Sequence, residues 1–177
     1  MNKQSVFHLI SDLTQREGIS CILIGGFAVN YYKVTRQTAD VDFLITKKDF
    51  DKISTTLEEA GYKKEIRENF AQLKSSELSL MDIDFMFVEQ ATLEKILAES
   101  QKIKIAKQEF YVPSLDHLIA LKLHAIKYNQ KIRLSRDLPD IINLIRINKI
   151  NVQSENFKKL CLKYGTEEIY KKILEIV

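Results

Sequence analysis

The spacing of apolar positions changes character along the chain, and each change predicts an element. From Ser5 to Arg16, Val6, Leu9, Ile10 and Leu13 recur at helical spacing and the pattern stops near Gly18, which predicts an amphipathic first helix. Ile19 to Ile24 is almost wholly apolar, as suits a short strand covered on both faces. Gly25 and Gly26 end that strand, and Phe27 to Tyr32 follows as a helix. Beyond a basic loop, Lys33 to Gln37, the run Ala39 to Ile45 predicts a second strand, and Lys47 to Ala60 a helix stopping at Gly61. Tyr62 to Ile66 and Phe70 to Leu73 are less regular strand patterns, whereas Leu80 to Val88 alternates strictly. Asp82, Asp84 and Met86 share one of its faces, and Met81, Ile83, Phe85 and Phe87 the other. From Ser114 onward the period is helical: Leu115, Leu118, Ile119 and Ile126 form one stripe, and Leu138, Ile141, Ile142 and Ile145 the next. The expected fold class is α/β (α+β), with a small sheet and its helices over residues 1–113 and a helical cap packed on it over residues 114–177.

Composition narrows this picture only a little. With 177 residues, 45% hydrophobic and 29% charged, the chain is long enough to bury a core. The 27 basic and 24 acidic residues leave a net charge of +3, which favours anionic ligands but falls short of a nucleic-acid coat. The opening MNKQSVFHLISDL lacks a signal-peptide core, and no segment reaches the roughly 20 apolar residues of a membrane span. A soluble, cytoplasmic protein with no membrane partner is therefore expected. Cys21 and Cys161 both fall in apolar patterns and read as small buried hydrophobes.

Candidate chemistry lies on the predicted strands. Asp40 and Asp42 stand at i and i+2, so alternation puts both on one face, with Cα atoms roughly 7 Å apart, while Val41 and Phe43 turn to the core. Phosphoryl-type transfer by two magnesium ions about 3.5–4 Å apart requires hard oxygen ligands on rigid elements. Asp40, Asp42 and an aspartate of the Leu80–Val88 strand meet that need if the strands are neighbours. Alone, an acid pair on a strand is more often a solvated face; the glycine turn upstream and the second acid pair reverse that balance. Gly25 and Gly26 admit two readings: a backbone without Cβ lets a phosphate approach a helix start, and it also permits a tight turn of positive φ.

The segments LIGGFAVNYY (23–32), RQTADVDFLI (36–45) and MDIDFMF (81–87) together resemble the nucleotidyltransferase superfamily, whose pattern is hydrophobic-G-[G/S], then Dh[D/E]h, then a third acid on a later strand. The resemblance implies a small mixed β-sheet core with flanking helices and a C-terminal helical bundle. It also implies an Mg²⁺-dependent enzyme, with two ions, that moves a nucleoside monophosphate from an NTP to a hydroxyl. By the same resemblance Gly25 and Gly26 bind nucleotide phosphates, Asp40 and Asp42 hold the metals, and Asp84 is the third carboxylate and helps activate the acceptor hydroxyl. Asp82, on the same face, is the runner-up for that third place. Arg36 and Thr38 stand as in the family's RxTxDxD version, where they touch phosphate or order the loop. The run from Val112 to Ile145 is similar to the region after the catalytic strands in the AbiEii/MenT-like branch, which includes toxins of toxin–antitoxin and abortive-infection systems. That branch implies a tRNA 3′ end or a protein hydroxyl as acceptor and a cognate antitoxin as partner.

Two residues of that region invite a physical reading beside the implied one. Lys122 shares the stripe of Leu118, Ile119, Ala125 and Ile126, where a bare ammonium is costly, so it either meets an anion or snorkels past the core edge. The resemblance implies phosphate binding there. Asp137 follows Ser135, a good N-cap, and so reads as a first-turn carboxylate with Pro139 tolerated behind it; the resemblance makes it a site residue contacting Lys122 or the acceptor. Arg136 and Asp140 read as local ion-pair partners. His8, His117 and His124 lack zinc spacing and are assigned no chemistry. Basic stretches at Lys102–Lys107 and Lys127–Arg136, the latter with Tyr128 interleaved, are either solvated faces or guides for RNA. The competing functions are a lincosamide- or aminoglycoside-type small-molecule nucleotidyltransferase and a silent nucleotide- or RNA-binding module; the silent reading is disfavoured because all three acids and the glycine pair are present.

Overall fold

Five phenylalanines mark where the core lies. Phe43 stacks on Phe85 with ring centroids 5.7 Å apart, Phe50 packs against Phe85 at 5.2 Å, and Phe110 joins Phe43 at 5.8 Å and Phe7 at 5.6 Å. Phe43 and Phe85 alternate with Asp42 and Asp84 along their strands, so burying the rings turns the acids to the opposite face. A computed structural model describes residues 5–77 and 80–177; the first four residues of the stretch read for a leader lie outside the described residues.

The elements run α1 (Val6–Glu17), β1 (Ile22–Leu23), α2 (Gly25–Tyr31), β2 (Asp40–Ile45), α3 (Lys47–Glu59), β3 (Tyr62–Ile66), β4 (Phe70–Ser75), β5 (Asp82–Phe87), α4 (Gln90–Ala98), β6 (Gln101–Ile105), β7 (Gln108–Val112), α5 (Leu115–Tyr128), α6 (Gln130–Asn148), α7 (Glu155–Tyr164) and α8 (Glu167–Ile176). The strands form one mixed seven-stranded sheet in the order β3-β4-β5-β2-β1-β7-β6. β2 runs parallel to β5 and antiparallel to β1, and β1 runs parallel to β7. The register of the β2–β5 pair sets Asp40 opposite Asp82 and Asp42 opposite Asp84. The expected α/β class holds, with a mixed sheet and an all-helical C-terminal part.

The chain separates into two units. One comprises Met1–Ala28 with Gln37–Ser114 and contains the sheet, α1, α3 and α4. The other comprises Val29–Arg36 with Leu115–Val177 and contains α5 to α8, in which α5 packs on α6 and α7, and α7 on α8. None of the described helices is long and apolar enough to cross a membrane.

Capping follows the sequence where the signals are local. Ser5, Thr46 and Ser154 each accept a backbone N–H from three residues on, and Gly18 closes α1 in the left-handed region at φ 60°. Two expectations need correction, and one unassigned stretch takes a definite form. The first strand keeps only Ile22 and Leu23 of the apolar run: both pair with β2, and Ile22 pairs with β7 as well. The Lys102–Lys107 stretch, for which the sequence predicted no element, is β6 and its turn to β7, where Ala106 and Lys107 take φ 49° and 68° in a two-residue hairpin that normally advertises itself with Asn-Gly. Ser135 is not a cap. Helix α6 begins at Gln130 and carries Pro139 inside it; the proline lies exposed, while Ile141, Leu144 and Ile145 bury the opposite side.

Candidate active site

The turn from β1 to α2 brings the first glycine against an acid of β2, Asp42. Gly25 adopts φ 63°, and a Cβ built on it would lie 1.8 Å from Asp42 Oδ2. At Gly26, which has no such φ, a Cβ would stand 2.7 Å from the Thr38 side chain. The two glycines therefore serve different needs: Gly25 meets both the left-handed turn and the close approach of Asp42, and Gly26 meets only the approach of Thr38. The Ile24 N–H donates to the Asp42 carbonyl at 2.9 Å, which fixes the glycine turn to the β2 backbone.

On the solvent-facing side of β2 and β5, one carboxylate oxygen from each of Asp40, Asp42 and Asp84 lies within 4.8 Å of the others. All three residues are half-buried. Three carboxylates on rigid strands are the donor set that a hard divalent ion takes. Asp82, opposite Asp40, is otherwise engaged: its Oδ1 accepts the Ser75 N–H at 2.9 Å. The cluster therefore includes Asp84 and leaves out the runner-up.

Neighbouring side chains orient two of the three acids. Gln72 on β4 is the register partner of Asp84, and its Nε2 donates to Asp84 Oδ1 at 3.2 Å. Thr38 Oγ1 lies 3.0 Å from the Asp40 carbonyl and 3.1 Å from Asp40 Oδ1, so its one proton serves backbone and carboxylate alike. Gln72 escaped the sequence reading because β4 showed weak alternation, and a lone glutamine there carries no signature before the register is known.

The helical unit holds a second charged cluster. Lys122 Nζ donates to Asp137 Oδ1 at 2.9 Å and to Asp140 Oδ2 at 2.7 Å, and all three residues are buried, with 6%, 5% and 6% of their surface exposed. Arg36 Nη1 reaches the same Asp140 oxygen at 2.5 Å. Asn30 clips the Arg36 backbone by two hydrogen bonds, donating to its carbonyl at 2.9 Å and accepting its N–H at 2.7 Å. Lys122 is thus neither snorkelling nor bare, and its anions in this structure are carboxylates. Asp137 is no first-turn cap; it sits mid-helix, with Oδ2 buried and lacking a hydrogen-bond partner while Arg133 Nη1 stands 3.8 Å away. Asp140, read from the sequence as a local partner, is the centre of this network, and its spacing of three from Asp137 on one helix face was the available clue. Arg136 is exposed.

The remaining candidates are structural. His8 hydrogen-bonds the Ser5 hydroxyl at 2.9 Å, and His124 packs on the ring of Tyr128 with its pKa lowered, first by burial and then by Lys127. Burial pushes both thiols, Cys21 and Cys161, up to about 12, which leaves them protonated and inert.

A family model described as "Uncharacterised nucleotidyltransferase" matches residues 5–177. No curated protein matches the chain in sequence. Among solved structures, an antigenic nucleotidyltransferase-like protein from Paracoccidioides brasiliensis superposes with a TM-score of 0.56 at 15% identity, over 95% of this chain and 89% of that one. The lincomycin-bound lincosamide antibiotic adenylyltransferase LnuA gives 0.56 at 19% identity, over 83% and 98%. A nucleotidyltransferase described as putative, from Thermotoga maritima, gives 0.50 at 14%, over 82% and 92%. At these identities the likeness is one of fold.

Proposed function

Because this chain belongs to the nucleotidyltransferase family whose model spans residues 5–177, we propose that it transfers a nucleoside monophosphate from an NTP to a hydroxyl acceptor, with Asp40 and Asp42 as metal ligands and Asp84 as the third carboxylate. The convergence of these three acids within 4.8 Å beside the Gly25 turn carries the reading. The acceptor oxygen bonds to the α-phosphorus, the bond from that phosphorus to the bridging oxygen of the β-phosphate breaks, and pyrophosphate leaves with the bond pair. Asp84 is the group on this chain suited to take the hydroxyl proton, and Gln72 holds its Oδ1 in place. Asp40, Asp42 and Asp84 would hold magnesium, two ions in this reading, which when bound would supply charge neutralisation at the transferring phosphoryl group and activation of the attacking oxygen. Gly25 and Gly26 keep their implied role at the donor phosphates, with Arg36 and Thr38 ordering the loop or touching phosphate. Lys122 and Asp137 keep theirs by the same resemblance.

The acceptor reading rests on the likeness of Val112–Ile145 to the AbiEii/MenT-like branch: a tRNA 3′ end or a protein hydroxyl, in a toxin-like role with a cognate antitoxin. A second reading, a small-molecule hydroxyl, is favoured by one observation, the coverage of 98% of a lincomycin-bound adenylyltransferase of the same fold. The test is incubation with Mg²⁺ and each α-phosphate-labelled NTP, with and without total tRNA or a lincosamide and aminoglycoside panel, beside an Asp42→Asn control. Label that moves to RNA, protein or antibiotic and vanishes in the control is expected. Absence of any Asp42-dependent label would overturn the reading.

A further inference from the structure

We propose that the corner where α5 meets α6 is a docking surface for an unpaired stretch of nucleic-acid strand, with Tyr128 as its stacking platform. The inference deepens the function proposed above, on which it rests, because it selects a polynucleotide as the acceptor class. Tyr128, the last residue of α5, is 72% exposed, and Ile132, in the first turn of α6, is 56% exposed; among the described residues these are the two most exposed large hydrophobic side chains. A ring held out in water on a helix corner is placed for a planar partner. It is not a loose side chain: His124 braces it at a centroid distance of 4.5 Å, and the Lys127 ammonium lies 5.8 Å from its centroid.

The charge along this stretch of chain has one sign. No acidic residue occurs between Asp116 and Asp137, whereas Lys127, Lys131, Arg133 and Arg136 all fall in that interval. Lys122 adds nothing to the field, because it and Arg36 are matched one for one by Asp137 and Asp140. Four further cations stand against a net charge of +3 for the whole chain, 27 basic less 24 acidic residues, so this stretch alone exceeds the excess of the entire molecule. Arg133, the nearest of the four to a carboxylate, is 3.8 Å from Asp137 Oδ2, and its side chain is still 42% exposed.

An exposed aromatic ring set among cations fits a strand whose bases are unstacked and whose phosphates are close by. A duplex hides its base faces and leaves Tyr128 without a function. A lipid surface would demand a broader apolar face than one tyrosine and one isoleucine, and an apolar protein partner gains nothing from a run of four cations.

The test is fluorescence anisotropy with a labelled unstructured oligoribonucleotide, its DNA equivalent and its RNA duplex, across a salt series. The full chain carries no change, Tyr128→Ala, Tyr128→Phe, or Lys131→Glu with Arg136→Glu. Single strands are expected to bind more tightly than the duplex. Tyr128→Ala should weaken binding about tenfold without altering the salt slope, Tyr128→Phe should retain it, and the double charge reversal should flatten the slope by about two. Preference for the ribose or the deoxyribose strand identifies which polynucleotide is read, through the 2′-hydroxyl. Absent or duplex-preferring binding, or binding indifferent to Tyr128, overturns the docking surface, as does capture of a polypeptide by the same face in place of a strand. Mg²⁺–ATP binding, titrated calorimetrically for the same proteins and for Asp42→Asn, separates the two proposals: retained, Asp42-dependent donor binding with no strand binding overturns only the surface, and donor binding independent of Asp42 overturns the function beneath it.

Discussion

Replacing Gly25 by alanine adds one methyl group and should cost as much as a core truncation. Two penalties combine. The backbone stands at φ 63°, where a side chain costs about 1–2 kcal/mol. The new Cβ would lie 1.8 Å from Asp42 Oδ2, 2.4 Å from its Cγ and 2.8 Å from its Cβ, against a comfortable separation of about 3.5 Å. Asp42 is fixed at its backbone by Ile24, and its strand is flanked by β1 and β5, so the carboxylate must rotate away or the turn must shift. Overpacking of this kind costs about 1–3 kcal/mol, giving a total of about 2–5 kcal/mol in urea unfolding followed by circular dichroism. The decisive measurement is a double-mutant cycle with Asp42→Ala, which removes the two shortest contacts and leaves the one at 2.8 Å. A coupling of about 1–2 kcal/mol is expected, with the Gly25→Ala penalty shrinking once the carboxylate is gone. Manganese binding followed by electron paramagnetic resonance should be lost in Gly25→Ala alone, because the displaced oxygen belongs to the acid cluster. Penalties that add to within about 0.5 kcal/mol, or a cost of Gly25→Ala below about 1 kcal/mol, would refute the packing argument.

Gln72→Leu should weaken manganese affinity by about tenfold or more while leaving the circular dichroism spectrum intact, since it removes a hydrogen bond that orients a carboxylate; unchanged affinity would mean that Asp84 is positioned by other means. Lys122→Met should destabilise the helical unit by about 3–5 kcal/mol, because it strips the shared ammonium from two buried carboxylates and leaves Asp140 only Arg36; a loss below about 1 kcal/mol in the same denaturation assay would contradict the buried network. Alkali should unfold the protein by a calculable route. Burial holds Cys21, Cys161, Tyr32 and Tyr62 up to about 12 in the fold, against ordinary values of 9.0 for the thiols and 10.0 for the phenols. The unfolded chain therefore releases these protons first, so stability is full below about pH 9 and falls as the pH rises toward 12; a melting temperature flat between about pH 8 and 11 would contradict it.

Local rules made most of the architecture legible. Helical and alternating periods located α1, α3, β2, β5 and the all-helical C-terminal part, and α1 lies between the caps Ser5 and Gly18, within the limits the spacing predicted. These features depend on neighbours within a turn or two, so the chain displays them in one dimension. The candidate acids were legible for the same reason: alternation alone puts Asp40 with Asp42, and Asp82 with Asp84, on one face.

What periodicity could not supply was long-range register. The β2–β5 pairing decided that Asp84 joins Asp40 and Asp42, and the Ser75 amide decided that Asp82 is engaged elsewhere. The β4–β5 register decided that Gln72 faces Asp84. The hairpin at Ala106 and Lys107 escaped because its left-handed residues are not glycine or asparagine, so only pairing of β6 with β7 holds them there. In α6, burial of Ile141, Leu144 and Ile145, together with the pairs from Lys122 to Asp137 and Asp140, outweighed the local helix start suggested by Ser135 and Pro139. Periodicity along a strand or helix is a property of the residues themselves, whereas which carboxylate meets which cation depends on surfaces that exist only once the chain has folded.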